Sequence, residues 1–179
     1  MGVNPAERPS SNRAPAPTGR AISPTLRRLL GLPRVLYAHG WGWVLGHRFL
    51  QLSHRGRRTG TLHHTVLEVV QYDRVTGEAV VASGFGNRTD WLLNLRAGSD
   101  VVVSISRFSA PARYRELRTE EAVEVFADYE RRNALARPVI RAVLSRLLGW
   151  QYDGSPAARL RLAEQLPMVA FRPVHRPAR

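Results

Sequence analysis

Apolar and polar residues alternate with a period of two in several short segments between residues 47 and 117. Such alternation is typical of strands that bury one face. Turn-forming residues separate the segments, as in the sequence DRVTG at 73–77, which indicates hairpins and therefore an antiparallel sheet. An apolar run near the C-terminus predicts a sixth strand, and closure of six strands into a small barrel would leave no free edge. The predicted strands are 49–53, 65–72, 78–83, 100–107, 111–117 and 168–172.

Two parts of the chain have the 3.6-residue periodicity of helices instead. A short helix is predicted over 90–97, after Thr89 as a candidate N-cap and before Gly98 as a stop signal. A block of three helices is predicted between residues 119 and 166. The expected fold class is α+β, mainly antiparallel β: a six-stranded barrel with a short inserted helix and a helical block before the last strand. No unit of strand, glycine-rich turn and helix opens the domain, which disfavours a Rossmann fold.

Residues 47–173 form the predicted barrel domain, and the segments on either side of it differ in composition. Residues 1–24 are rich in Pro, Ser, Asn, Ala and Arg without apolar periodicity, which predicts a disordered tail. Residues 25–46 are predicted as a helical segment that either packs on its own domain or lies on a membrane, and their apolar stretch is too short to span one. Residues 174–179 form a basic tail. The expected location is the cytoplasm, with peripheral membrane contact as an option.

The charge of the chain is strongly unbalanced. Its 179 residues include 27 arginines and no lysine against 14 acidic residues, which gives a net charge of +13. This charge predicts attraction to anions such as nucleic acid, anionic lipid, or a phosphorylated or carboxylated ligand. The absence of cysteine excludes disulfides, thiolate metal sites and cysteine nucleophiles, and the absence of lysine excludes a Schiff base. The six histidines have no metal-binding spacing, so no metal site is predicted.

Two glycine-containing segments are candidates for chemistry. The sequence HRGRRTG at 54–60 contains three arginines within four positions, in a loop between two predicted strands. Guanidinium groups bind phosphate and carboxylate in a bidentate manner, so the loop is either an anion clamp or a solvated basic turn. The sequence SGFGN at 83–87 leads into the short helix, where free N–H groups collect. Trp91 in that helix either lines a pocket or belongs to the core.

Taken in order, these motifs resemble the deazaflavin-dependent nitroreductase family, whose members are split β-barrel flavin or deazaflavin oxidoreductases. The matching segments are 52–60, 80–86 and 91–97, within a resemblance that runs from about residue 47 to 117 and to the closing strand. The resemblance implies an enzyme that passes a hydride from reduced coenzyme F420 to a quinone, a nitro compound or an activated alkene. It also implies coenzyme F420 as the cofactor, with FMN as the less favoured alternative.

The resemblance further implies roles for individual residues. The phosphate and oligoglutamate tail of coenzyme F420 would lie on the basic loop, and its ring would lie against residues 83 and 84. The cofactor-binding residues implied in this way are Arg57, Arg58, Thr59, His63, Ser83, Gly84, Trp91, Asn94, Arg96 and Ala97. The chain departs from the family pattern at Arg58, where a lysine is usual, and at 63–66, where the family has an Arg–x–x–Pro run.

Two residues are candidates for catalysis by the same resemblance. Ser83 would stabilise charge on the acceptor oxygen. Tyr129 would protonate or orient the substrate, unless its ring belongs to the core. The helical block at 119–166 would cover an apolar pocket suited to a small apolar electron acceptor such as a quinone.

Two functions of other classes also fit the composition. One is a nucleic-acid-binding basic barrel, and the other is a non-catalytic cofactor or lipid carrier at a membrane surface. Most aromatic residues lie in apolar stretches rather than beside arginines, so no specific nucleic-acid partner is predicted. Split barrels often pair, which leaves a homodimer open.

Overall fold

The computed structural model describes residues 47–84 and 86–174, and within them six antiparallel strands close into a barrel. The predictions for residues 1–46 and for the basic tail after Val174 lie outside the described residues. The strands are β1 (Phe49–Arg55), β2 (Leu62–Tyr72), β3 (Ala79–Ala82), β4 (Val101–Ile105), β5 (Phe108–Glu116) and β6 (Met168–Pro173). The helices are α1 (Asp90–Arg96), α2 (Thr119–Arg132), α3 (Arg137–Leu148) and α4 (Pro156–Gln165).

The last strand closes the barrel. The strand order is β1-β2-β3-β6-β5-β4, and β1 also pairs with β4. Strand β6 enters between β3 and β5, so that Phe171 lies opposite Ala79 on one side and Tyr114 on the other. The expected α+β class, the six strands and the helical block before the last strand are confirmed.

Two apolar layers hold the fold together, and β6 contributes to both. Val169 and Phe171 point into the barrel, whose end is covered by Trp91, Leu92 and Leu95 of α1. Met168 and Ala170 of β6 point outward, into a second core formed with α2 and α4. Because successive residues of a strand face opposite sides, β6 is buried on both faces. Its first four residues, MVAF, therefore form a continuous apolar run.

The structure differs from the sequence prediction at the facing ends of two strand pairs. Strand β4 ends at Ile105 rather than at 107, and β5 begins at Phe108 rather than at 111. Strand β1 extends to Arg55 and β2 begins at Leu62, because Arg55 pairs with Leu62 in the ladder. The basic loop is therefore shorter than predicted, and His54 belongs to a strand. Thr89 precedes α1 in extended conformation, but its side chain does not cap the helix. In the part of the chain that the structure describes, no helix has the length and apolar character needed to cross a membrane.

Candidate cofactor and substrate site

The loop between β1 and β2 is a tight turn that depends on both of its glycines. The N–H of Gly56 donates to the carbonyl of Thr61 and the N–H of Gly60 to that of Gly56, each over 2.8 Å. Gly60 has φ +68°, a conformation that favours glycine. A Cβ on Gly56 would lie only 3.0 Å from Nε2 of His63. The two glycines thus allow the arginines between them to be presented on a compact turn.

Arg57 fastens this loop to helix α1. Its backbone N–H and its guanidinium Nη1 each donate to Oδ1 of Asn94 over 3.0 Å. The same Nη1 lies 3.1 Å from Oδ1 of Asp90, the first residue of α1. The basic loop and the short helix, which the sequence places 37 residues apart, therefore meet in space.

His54 completes this assembly from inside the barrel. It is buried, and its Nδ1 lies 3.1 Å from Nδ2 of Asn94. Because Oδ1 of Asn94 accepts from Arg57, Nδ2 must donate, and His54 Nδ1 is the acceptor. Burial lowers the pKa of His54, and nearby His63 lowers it further. A neutral imidazole with its proton on Nε2 fits this position.

The outer part of the loop carries positive charge that the fold does not use. Arg58 and Thr59 are exposed. Arg58 forms no hydrogen bond or ion pair with any residue in 47–84 or 86–174. The ring of His63 stacks on that of His54, with centroids 5.7 Å apart. A guanidinium whose five donors bind none of the described residues, beside the partly exposed Arg57, fits a phosphate or carboxylate group.

Ser83 lies beneath the glycine-containing segment rather than at its surface. The residue is fully buried, and its hydroxyl donates to the carbonyl of Gly86 over 2.7 Å. The oxygen of the same hydroxyl lies 2.8 Å from Oγ1 of Thr89. These bonds tie the end of β3 to the start of α1. The neighbouring Gly84 lies under α3, where Cδ2 of Leu147 is 3.9 Å from the position that a Cβ would take.

The other predicted residues of α1 have structural partners. Trp91 is buried in the barrel core. The guanidinium of Arg96 binds both carboxylate oxygens of Glu116, over 2.7 and 2.6 Å, and this ion pair lowers the pKa of Glu116. Ala97 is exposed at the end of the helix. Of the predicted residues on α1, Asn94 is the one that contacts the basic loop.

Tyr129 lies on α2, over the outer face of β2. Its hydroxyl donates to Oε1 of Glu68 over 2.9 Å, and Nη2 of Arg48 lies 3.7 Å from the same oxygen. Burial, followed by the charge of Glu68, raises the pKa of Tyr129 far above its ordinary value. An open cavity of about 280 Å³ lies beside this pair, lined also by His47, Tyr72 and Arg132.

The Tyr129 cavity and the basic loop are connected by strand β2. His63 and Glu68 are five residues apart on this strand, which corresponds to about 17 Å. The structure therefore separates the predicted site residues into a cationic cluster at one end of β2 and a tyrosine–carboxylate pair farther along it.

Sequence reasoning missed His54 and Glu68. The alternation of inward residues through Leu50 and Leu52 was a signal for an inward His54. Glu68 is the one acid in the apolar run 65–72, but its contact with Tyr129, 61 residues away, leaves no local trace.

Residues 39–139 match a family described as F420H(2)-dependent quinone reductase. The match spans more than half of the chain. The chain belongs to this family. Membership makes it an oxidoreductase with coenzyme F420 as cofactor and a quinone as acceptor, and it confirms the family resemblance, the enzyme class and the cofactor expected from the motifs. It also disfavours the nucleic-acid-binding barrel and the non-catalytic carrier.

Several solved structures are similar to this family member. A structure described as an F420-H2 dependent reductase (FDR-A) is 17% identical, with 70% of this chain and 95% of that chain covered and a TM-score of 0.45. A structure described as a domain-swapped dimer is 19% identical, with 83% and 99% covered and a TM-score of 0.43. A protein of unknown function from Agrobacterium tumefaciens is 13% identical, with 86% and 58% covered and a TM-score of 0.48. No curated protein matches the chain.

Proposed function

We propose that the basic loop of this quinone reductase holds the phosphate and carboxylate groups of coenzyme F420. Arg57 and Arg58 would bind these anions, with Thr59 and His63 at the sides of the clamp. The observation that carries the proposal is the contrast between the two arginines. Arg57 is held in place by Asn94 and paired with the exposed Asp90, while Arg58 has no acidic partner among the described residues. The chemistry of these donors fits the group.

Reduced coenzyme F420 supplies a hydride when it is bound. The chain itself would position the ring and exclude water. We propose that Ser83 acts here as a positioning residue, since its buried hydroxyl holds Gly86 and Thr89. Gly84 has no side chain and would leave room for a flat ring. Trp91, Arg96 and Ala97 would support the pocket indirectly, through the placement of α1.

Tyr129 is proposed to act on the acceptor. Reduction of a quinone leaves an oxygen that needs a proton or a hydrogen bond. The raised pKa of Tyr129 keeps the proton on its hydroxyl at neutral pH, and the adjacent cavity admits a small molecule. The hydroxyl proton is directed at Glu68 over 2.9 Å, so Tyr129 would exchange this hydrogen bond for one to the acceptor oxygen. Nitro compounds and activated alkenes are proposed as further acceptors, and the homodimer stays a prediction.

Calorimetric titration with coenzyme F420 tests the clamp. Replacement of Arg58 by Ala should weaken binding by about 10- to 100-fold, the value of one charge-assisted contact. The matched control is Arg113→Ala, which removes the same charge from an exposed position on β5. This control should bind coenzyme F420 like the unmodified protein. Equal affinities of the two variants would show that the loop is a solvated turn and not a clamp.

A further inference from the structure

Asp90, the first residue of α1, forms an exposed ion pair with an arginine of the proposed clamp. Its Oδ1 lies 3.1 Å from Nη1 of Arg57. The side chain of Asp90 is 86% exposed, and that of Arg57 is 31% exposed. An ion pair between exposed groups contributes little to stability, because water solvates the separated charges well. The carboxylate of Asp90 can therefore leave Arg57 at a small cost in free energy.

Arg57 keeps its position without the help of Asp90. Its backbone N–H and its Nη1 each donate to Oδ1 of Asn94 over 3.0 Å, and Asn94 is buried. Asn94 is held in turn by its contact with the buried His54. These bonds fix Arg57 at its backbone and at the end of its side chain, whereas Asp90 contacts Nη1 alone. Asp90 is thus a counter-ion of Arg57 and not its support.

The carboxylate of Asp90 also has the chemistry of the ligand expected at this guanidinium. A phosphate or carboxylate group binds arginine through the same charge-assisted hydrogen bonds. Nη1 of Arg57 carries two protons, which its two acceptors Asp90 and Asn94 occupy. An anion that binds Nη1 must therefore displace Asp90, and an anion that binds the other guanidinium protons is repelled by the charge of Asp90. In both cases Asp90 opposes the binding of the anion.

We propose that Asp90 competes with the anionic groups of coenzyme F420 for Arg57 and thereby sets the rate at which the coenzyme leaves. This proposal rests on the proposed function, because it takes the basic loop as the anion clamp. Transfer of a hydride to a quinone, which also takes up one proton, leaves the coenzyme oxidised by two electrons. The next turnover needs reduced coenzyme, so the oxidised form has to leave. A carboxylate that returns to Arg57 neutralises the guanidinium as the anion departs.

Calorimetric titration of the full chain with coenzyme F420 tests the competition. Asp90→Asn removes the charge and keeps the shape, and the affinity should rise about two- to five-fold, the value of an exposed ion pair. Asp90→Ala should raise the affinity as well, because Asn94 still holds Arg57. The matched control is Glu120→Gln, which removes an exposed acid from the first turn of α2 and should leave the affinity unchanged.

Release kinetics and salt dependence separate competition from a change in structure. Stopped-flow displacement should show slower release of coenzyme F420 from Asp90→Asn, with most of the gain in affinity in the dissociation rate. The affinity of this variant should also fall more steeply with salt concentration. The reason is that salt anions, and no longer Asp90, then screen the charge of Arg57 in the free protein. Thermal unfolding checks that both Asp90 variants are folded.

Two results would overturn the proposal. An affinity of Asp90→Asn equal to or below that of the unmodified chain would make Asp90 a bystander or a support of Arg57. An equal gain in Glu120→Gln would mean that net charge alone raises the affinity.

The Arg58→Ala titration separates this failure from failure of the clamp. If Arg58→Ala weakens binding and Asp90→Asn does not strengthen it, the clamp stands and the competition is refuted. If Arg58→Ala binds normally and Asp90→Asn binds more tightly, the competition at Arg57 stands and the part given to Arg58 is refuted.

Discussion

The basic loop and the helical block use the same residue type in opposite ways. In the loop, Arg57 is fixed by the amide of Asn94 and by an ion pair with Asp90, whereas Arg58 has no acidic partner in the described residues. In the helical block, Arg159 lies 2.8 Å from the buried carboxylate of Glu130, and Arg141 lies 3.5 Å from the other oxygen of Glu130. The first arrangement leaves charge available to a ligand, and the second uses charge to join three helices.

The comparison shows that acidic residues decide what each arginine does. The chain has 27 arginines and only 14 acids. Where a carboxylate comes within reach, as for Arg96 and Arg115, the arginine becomes part of the scaffold. Where none does, the arginine can receive an anionic ligand or surface. Among the described residues, Arg58 of the basic loop is one such arginine.

The largest effect is expected from breaking the arrangement in the helical block. Glu130→Gln should lower the free energy of unfolding by about 3 kcal/mol, because two arginines lose their counter-charge at a buried site. Urea unfolding measures this loss. The control Glu124→Gln, at an exposed position of the same helix, should change stability by less than about 0.5 kcal/mol.

This variant also sharpens the contrast between the two regions. Glu130→Gln should leave the affinity for coenzyme F420 unchanged once the protein is folded. A parallel loss of cofactor binding would show that the helical block and the basic loop are not independent.

A smaller effect is expected at the loop itself. Asn94→Ala removes the acceptor of two Arg57 bonds and the partner of His54, at a buried position. Stability should fall by about 2 kcal/mol, and affinity for coenzyme F420 by about ten-fold, because Arg57 is no longer held. Urea unfolding and calorimetry measure the two quantities. The exposed amide variant Gln151→Ala should change neither, and a stability loss without an affinity loss would contradict the role given to Asn94.

The smallest effect concerns the pH dependence of stability. Burial lowers the pKa of His54, so on acidification the unfolded chain takes up a proton at this residue before the folded chain does. Stability should therefore fall as the pH drops from about 7.5 to 5.5, with a slope from this residue of no more than about 1.4 kcal/mol per pH unit. His47 contributes with the same sign, because burial lowers its pKa too.

The replacement His54→Gln should flatten part of this slope. Urea unfolding at several pH values in that interval measures it, above the range in which ordinary carboxylates titrate. An unchanged slope in the variant would mean that His54 carries a proton in the folded protein, against the hydrogen-bond pattern at Asn94.

Much of the fold could be predicted from local features. The strands β2 and β6, the hairpin at 73–77 and the stop of α1 at Gly98 depend on apolar runs and turn chemistry over a few residues. Thr89 shows the limit of such reasoning. Its identity predicts a cap, but Ser83 competes for its hydroxyl, and that contact exists only in the folded chain.

The candidate site was predictable in its motifs but not in the partners of each residue. Arg57 and Asn94 were both singled out, yet the bond between them joins segments 37 residues apart. Trp91 was predicted either to line a pocket or to belong to the core, and Arg96 was predicted to bind the cofactor. The contacts of Trp91 in the barrel core and of Arg96 with Glu116 could not be seen in the sequence.

The sequence alone determined the strand pattern, the helical block and the family, because these follow from the spacing and order of residues along the chain. Only the tertiary structure decided which arginines are bound by acids, which hydroxyls are buried and which side of α3 faces outward. The physical reason is that electrostatic and hydrogen-bond energies fall off over a few ångströms, whereas the partners come from residues tens of positions away.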